Sequence, residues 1–268
     1  MSDKSILYHY TTISGLNSII RTGKVWASDC RYLNDQQELQ HAIELLLGKF
    51  EGSCRETLEW AFHWHNLSRC HCVFSLSRSP KVLSQWRAYA DDGRGAAIGF
   101  DEKHLFGYQK LPHRSLVSCI YEDHDDFING LVSKFEVEID ALTKMHKDSG
   151  GAVNAFWKAI SDNPKPLENI YSEILRIKNP AFAEEQEVRL ILNIPSEQVQ
   201  TRVAGGLIVP YVEHVFLEEG DRGVIWCVAP EIWLGPKCDK RNKAAIGIFG
   251  QLGWIPEMGV FQYDCGYI

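Results

Sequence analysis

"FAEEQEVRLIL" runs from Phe182 to Leu192, and its reading decides the fold. Its second half is apolar and β-prone, so a strand is predicted over residues 187–193. Glu185, Glu187 and Arg189 alternate with Gln186 and Val188. If the strand already starts at Glu185, all three side chains project to one face. A carboxylate there can hydrogen-bond a ribose hydroxyl and stabilise a developing oxocarbenium ion. Arg189 can pair with either glutamate and lower its pKa. A solvated strand edge with a structural salt bridge accounts for the same residues equally well.

Outward from this stretch, the pattern predicts strands at both ends of the chain and helices in the middle. Residues 6–11 form a first strand. Thr12 or Ser14 caps a helix that buries Leu16, Ile19 and Ile20, and Gly23 stops it. Strands are predicted at 24–28, 70–77, 95–100 and 116–121. Asp35 and Glu38 have capping-box spacing for a helix bearing Leu39, Ala42, Ile43, Leu46 and Leu47. Helices are also predicted at 54–67, within "SPKVLSQWRAYADDGRG", and over 124–147 and 151–178. Further strands follow at 206–212, 224–229, 231–235 and 260–264. This order gives an α+β chain rather than a βαβ repeat. One domain over residues 1–268 is expected, with a helical insert at about 124–178.

Four other motifs carry candidate chemistry. In "ILYHYTT" (6–12), His9 and Thr11 share a strand face, and a neutral imidazole can both donate and accept. A core histidine bonded to a neighbouring carbonyl is the plainer reading. In "FSLS" (74–77), Ser75 and Ser77 share a face; they can hold a sugar, or form a solvated strand face. In "LSQWRAYADDGRG", Trp86 and Tyr89 are three apart, so their rings can share a helix face and stack on a base or on nicotinamide. An aromatic core stripe has the same spacing. Asn34 and Asp35 of "RYLNDQQE" suit a helix start, which leaves Tyr32 unexplained.

The 268 residues carry a net charge of −7. That argues against a broad surface coating nucleic acid, but permits a local basic groove around Arg78, Lys81, Arg87 and Arg94. Cys70, His71 and Cys72 are adjacent, so on a strand they point to alternating faces and do not converge on a metal; no metal is expected. No Gly-rich phosphate loop is present. No secretory leader or membrane-length apolar run is read, and a cytoplasmic protein with reduced thiols is expected.

The order "LYHYTT", "VWASDCRYLND", "FSLS", "LSQWRAYADDGRGAAIGF", "FAEEQEVRL" and "EIWLGP" resembles an uncharacterised bacterial family of unknown function. That family is similar to the ADP-ribosyltransferase-like fold. The resemblance extends from about Leu7 to Gly235, and its start is similar to DarT-type DNA ADP-ribosyltransferases and RNA 2′-phosphotransferases. It implies a split, twisted mixed β core with flanking helices that binds NAD, as substrate, in a cleft. It places His9 on the ADP-ribose part, matches Ser75 and Ser77 to a serine element near the nicotinamide, and matches Glu185 and Glu187 to a Glu-x-Glu pattern. Glu187 is the implied catalytic residue. Tyr10, Tyr32 and Tyr89 compete for the tyrosine position.

Three functions follow from the sequence. The first is an NAD-using transferase or glycohydrolase, a phage-defence or toxin effector acting on a nucleic acid or protein. There His9 and Thr11 hold the adenosine side, Tyr32, Trp86 or Tyr89 stacks on nicotinamide, and Glu187 stabilises the developing charge. The second is a nucleic-acid-processing enzyme on the same fold, with Arg78, Arg87 and Arg94 on phosphates. The third is a non-catalytic nucleotide-sensing or partner-binding module.

Overall fold

Thr12 begins the first helix as its sequence suggests: its hydroxyl accepts from the Gly15 amide at 3.1 Å. Gly23 ends that helix at φ 67°, a conformation in which a Cβ would lie 2.3 Å from the Leu217 carbonyl oxygen. The computed structural model describes residues 5–33, 36–105, 114–150, 152–218, 221, 225–251 and 259–267.

In chain order the first half comprises β1 (Ile6–Thr11), α1 (Ile13–Thr22), β2 (Lys24–Asp29), α2 (Gln36–Leu47), α3 (Gly52–Ser68), β3 (Arg69–Ser77), α4 (Leu83–Tyr89), β4 (Ala96–Asp101) and β5 (Arg114–Ser118). Four helices follow: α5 (His124–Lys134), α6 (Glu136–Asp148), α7 (Val153–Asp162) and α8 (Lys165–Ile174). Then come β6 (Glu187–Pro195), β7 (Gln200–Ala204), β8 (Leu207–Val215), α9 (Ile225–Val228), β9 (Glu231–Leu234), α10 (Arg241–Gln251) and β10 (Gly259–Gln262). The fold is α+β, with an open mixed sheet. Among the described residues, no helix is long and apolar enough to cross a membrane.

The sheet runs β10-β9-β4-β1-β3-β2-β8-β7, with β6 added to β3 and β5 to β6. All its strand pairs are antiparallel except β9–β10. β3 is the branching strand. Along one edge it pairs with β6 from Arg69↔Pro195 to Ser77↔Glu187. Its other edge is shared: β1 meets it at Tyr8↔Ser77, and β2 meets it at Ser28↔Val73 and Asp29↔Cys72. Between those points β1 and β2 diverge, and residues 74–76 have no strand partner on that edge. The sheet therefore forks.

Apolar residues cover both faces. Leu7, Phe74, Leu76, Val188 and Leu190 bury against Leu16, Ile19 and Ile20 of α1. A second core joins α2 and α3 with α5–α8, through residues such as Leu46, Leu58, Phe62, Ile128, Phe156 and Ile170. The helical stretch is thus built together with α2 and α3. Its stem is pinned where the Ile120 amide donates to the Arg176 carbonyl and the Lys178 amide donates to the Ile120 carbonyl, at 2.7 and 3.0 Å.

Several boundaries differ from the sequence reading. The strand expected at 116–121 lies at Arg114–Ser118. The apolar run expected as a strand at 224–229 is the helical turn α9, because Ile225 and Val228, three apart, both point into the core. The stretch 151–178 is two helices separated at Pro164, and the second ends at Ile174. β7 and α10 were not anticipated. Asn34 and Asp35 lie outside the described residues.

Candidate active site

The fork opens into a cleft of about 1110 Å³. Strand alternation places Leu7, His9 and Thr11 on the α1 face of the sheet. Ser75, Ser77, Glu187 and Arg189 face the opposite side, as the Ser77↔Glu187 and Ser75↔Arg189 pairs require. A continuous sheet would keep these groups apart. The divergence of β1 and β2 lets both contribute to one cleft, which His9, Thr11, Ser75, Glu185, Glu187 and Arg189 all line.

The His9 Nδ1 lies 3.0 Å from the Ser75 carbonyl oxygen. A carbonyl only accepts, so Nδ1 carries the proton and Nε2 of the neutral ring is an acceptor. Burial lowers the His9 pKa to about 4 against the opposing effect of the Ser75 carbonyl. The imidazole is therefore neutral at physiological pH.

At the other wall, β6 starts at Glu187, not at Glu185. Glu185 ends a 3-10 turn over Pro180–Glu185, and Gln186 sits in the left-handed region at φ 46°. Strand alternation does not bring the two glutamates together; Lys178 does. Its Nζ lies 2.6 Å from Glu185 Oε2 and 2.6 Å from Glu187 Oε2, with the Phe182 ring 5.1 Å away. Arg189 grips Glu187 with two donors, Nε to Oε1 at 3.0 Å and a terminal nitrogen to Oε2 at 3.1 Å. It also donates to Glu38 Oε2 at 2.6 Å. The Tyr121 hydroxyl accepts from the Glu187 amide at 2.8 Å, and the Cys119 thiol lies 3.7 Å from Glu187 Oε2.

These contacts set two different carboxyls side by side. Burial raises the Glu187 pKa, but Arg189 and Lys178 outweigh it and hold the group at about 2. Glu185 is raised, by burial first and by the charges of Glu187 and Glu38, with Lys178 opposing. Lys178 is held protonated: burial works against its charge, and Glu187 and Glu185 overcome it. Glu38, Glu185 and Glu187 thus share two cations, Lys178 and Arg189, in one buried cluster.

The structure distributes the other sequence candidates. Tyr32, 39% exposed, lines the cleft, as does Tyr89. Tyr10 also lines it, but its hydroxyl is engaged, donating to the Ser79 carbonyl at 2.8 Å and accepting from the Val82 amide. Trp86 is not available for stacking. It is 0% exposed, edge-on to Tyr10, stacked on Tyr263 and bonded to the Pro80 carbonyl. Ser77 is buried, and its hydroxyl donates to the Glu185 carbonyl at 2.7 Å, so it positions the glutamate turn. Arg78, Arg87 and Arg94 do not converge on the cleft. Arg78 bonds Ser118, Arg87 lies over the Tyr267 ring, and Arg94 lies near Asp91 and Asp92.

Other lining residues escaped the sequence reading. Glu38 was read only as a capping partner. Gln85, four residues before Tyr89 on the same helix face, lines the cleft too, and Lys178, Phe182, and Lys24, Trp26, Ser28 and Arg202 at the β2 end carry no sequence signal. Ser14, Ser18 and Thr22 recur along one face of α1 at helical spacing, the one local signal that pointed to a polar wall.

No curated protein and no solved structure gives a match to the chain. Residues 85–190, from α4 to the start of β6 and including Glu185, Glu187 and Arg189, carry a DUF2971 domain, whose family is described as a protein of unknown function.

Proposed function

We propose that the chain has an ADP-ribosyltransferase-like fold and uses NAD as a substrate, transferring ADP-ribose to a macromolecule or to water. One observation carries this reading: a forked sheet gathers a neutral histidine, a serine strand and a buried pair of glutamates around a single cleft. The volume slightly exceeds the roughly 300–1,000 Å³ of typical small-molecule sites, which leaves room for a dinucleotide.

In this reading the C1′–N bond of the nicotinamide riboside breaks, and its electron pair leaves with nicotinamide. Positive charge develops on C1′ and the ring oxygen. The ionised Glu187 faces that charge. Its Oε1 accepts one protein hydrogen bond, which leaves a lone pair for the ribose 2′-hydroxyl. The acceptor then bonds to C1′, and its proton passes to Glu185, the carboxyl with the higher proton affinity. His9 Nε2 accepts from a hydroxyl on the ADP-ribose side. Of the sequence candidates, Tyr32 and Tyr89 line the cleft and are assigned to the nicotinamide.

Titration of NAD into the protein, with nicotinamide release followed in the same sample, tests the reading. Binding with release supports it. Failure of NAD to bind overturns it, and binding without release moves the chain to a nucleotide-sensing role.

A further inference from the structure

The cleft is not uniform along its length. The glutamate end is acidic, whereas the wall formed by β2, β8 and β7 is aromatic and basic. Lys24, Trp26 and Ser28 alternate onto one face of β2, the same face as Glu187, because Ser28 pairs with Val73 in the ladder that carries Ser75 and Ser77.

Arg202 reaches this wall from β7. One of its terminal nitrogens donates to Ser28 Oγ at 3.1 Å, and its guanidinium lies 5.5 Å from the centre of the Trp26 ring. Trp26 is half exposed and packs against the Tyr211 ring, with the ring centres 5.0 Å apart. The nearby carboxylate, Glu213, is engaged by Lys24 at 2.7 Å. Arg202 forms no ion pair among the described residues, and its Nε is buried without an acceptor. A planar guanidinium fixed by a hydroxyl and a ring, lining a cleft without its own counter-ion, is suited to a phosphoryl group, which it can meet with paired donors.

We infer that Arg202, with Ser28 and Trp26, forms a subsite for the phosphoryl groups of a nucleotide whose reacting end lies at Glu185 and Glu187. This deepens the NAD reading and rests on it for the identity of the nucleotide. The spacing is compatible: Val73, beside Ser28, is four residues from Ser77, beside Glu187, or about 13 Å along β3. A ligand spanning that distance puts its phosphates at one end and its reactive sugar at the other.

Calorimetric titration with ADP, inorganic pyrophosphate and adenosine separates the contributions. ADP is expected to bind more tightly than adenosine, and Arg202→Ala to weaken ADP by about tenfold or more while leaving adenosine unchanged. Arg202→Lys, which keeps the charge but not the planar fork, is expected to fall between the two and covers the case in which the alanine variant does not fold. Pyrophosphate binding that also depends on Arg202 assigns the site to the phosphates alone; ADP binding without it assigns a contribution to the nucleoside. ADP binding no tighter than adenosine, or unchanged in both variants, overturns the subsite. Nicotinamide release separates the two claims. Arg202-dependent ADP binding without release leaves the subsite standing and removes the reaction. Release with Arg202-independent ADP binding does the reverse.

Discussion

The imidazole of His9 is tied to the backbone of Ser75: Nδ1 donates to the Ser75 carbonyl oxygen at 3.0 Å, at the point where β1 leaves β3. The residue therefore has two roles. It closes the root of the fork, and in the proposed reaction it offers its second nitrogen as an acceptor at the cleft.

This contact makes a prediction about pH. Burial holds the His9 pKa at about 4, so the ring stays neutral across the range in which a free histidine titrates. NAD affinity is expected to show no His9-dependent step between about pH 5 and 8. A step near 6.5 that disappears in His9→Asn would contradict the assignment.

Removing the charge of Lys178 is expected to be costly. Its ammonium bridges Glu185 and Glu187, and all three side chains are buried. Lys178→Met leaves like charges adjacent with one fewer cation, and a loss of about 3–5 kcal/mol in denaturant unfolding is expected. A loss under about 1 kcal/mol would show that the carboxylates do not depend on the bridge.

A separate prediction concerns the helical side. His65 and His71 are buried and stack against each other and against Tyr171. Burial lowers their pKa values to about 2 and about 4, with the Asn193 side chain opposing for His71. The unfolded chain takes up protons on both near pH 6.5, and the folded chain does not. Stability is therefore full above pH 6.5 and falls as pH drops toward 4, by up to about 3 kcal/mol per pH unit for the pair. His65→Leu is expected to remove about half of that slope. Equal unfolding free energies at pH 7 and pH 5 would contradict the burial of neutral rings.

The sequence showed the site's strands better than its clamps. β1, α1, β3 and β6 follow from periodicity, the Thr12 cap and the Gly23 stop, which act within a few residues. The pairing of Ser77 with Glu187 is a register between strands 110 residues apart, and no local signal encodes it. Lys178 was invisible because its position depends on the Ile120–Arg176 stem that pins the helical stretch. Trp86 shows the opposite failure: helical spacing gave it a candidate stacking face, but Tyr10 and Tyr263 enclose it. A shared face for Glu185 and Glu187 depended on a strand starting already at Glu185, and it starts at Glu187. The two glutamates meet through a left-handed Gln186 and a shared lysine, and strand alternation had no part in it.

In the proposed reaction Glu187 faces the charge that develops when nicotinamide leaves. The most direct test is the rate of nicotinamide release from NAD by the wild-type protein and by Glu187→Gln, with thermal unfolding recorded on both. The substitution keeps the side chain's shape and removes its charge. A rate lowered by about 100-fold or more in a variant that still unfolds cooperatively is the predicted result. Release at the wild-type rate from a folded Glu187→Gln protein would contradict it.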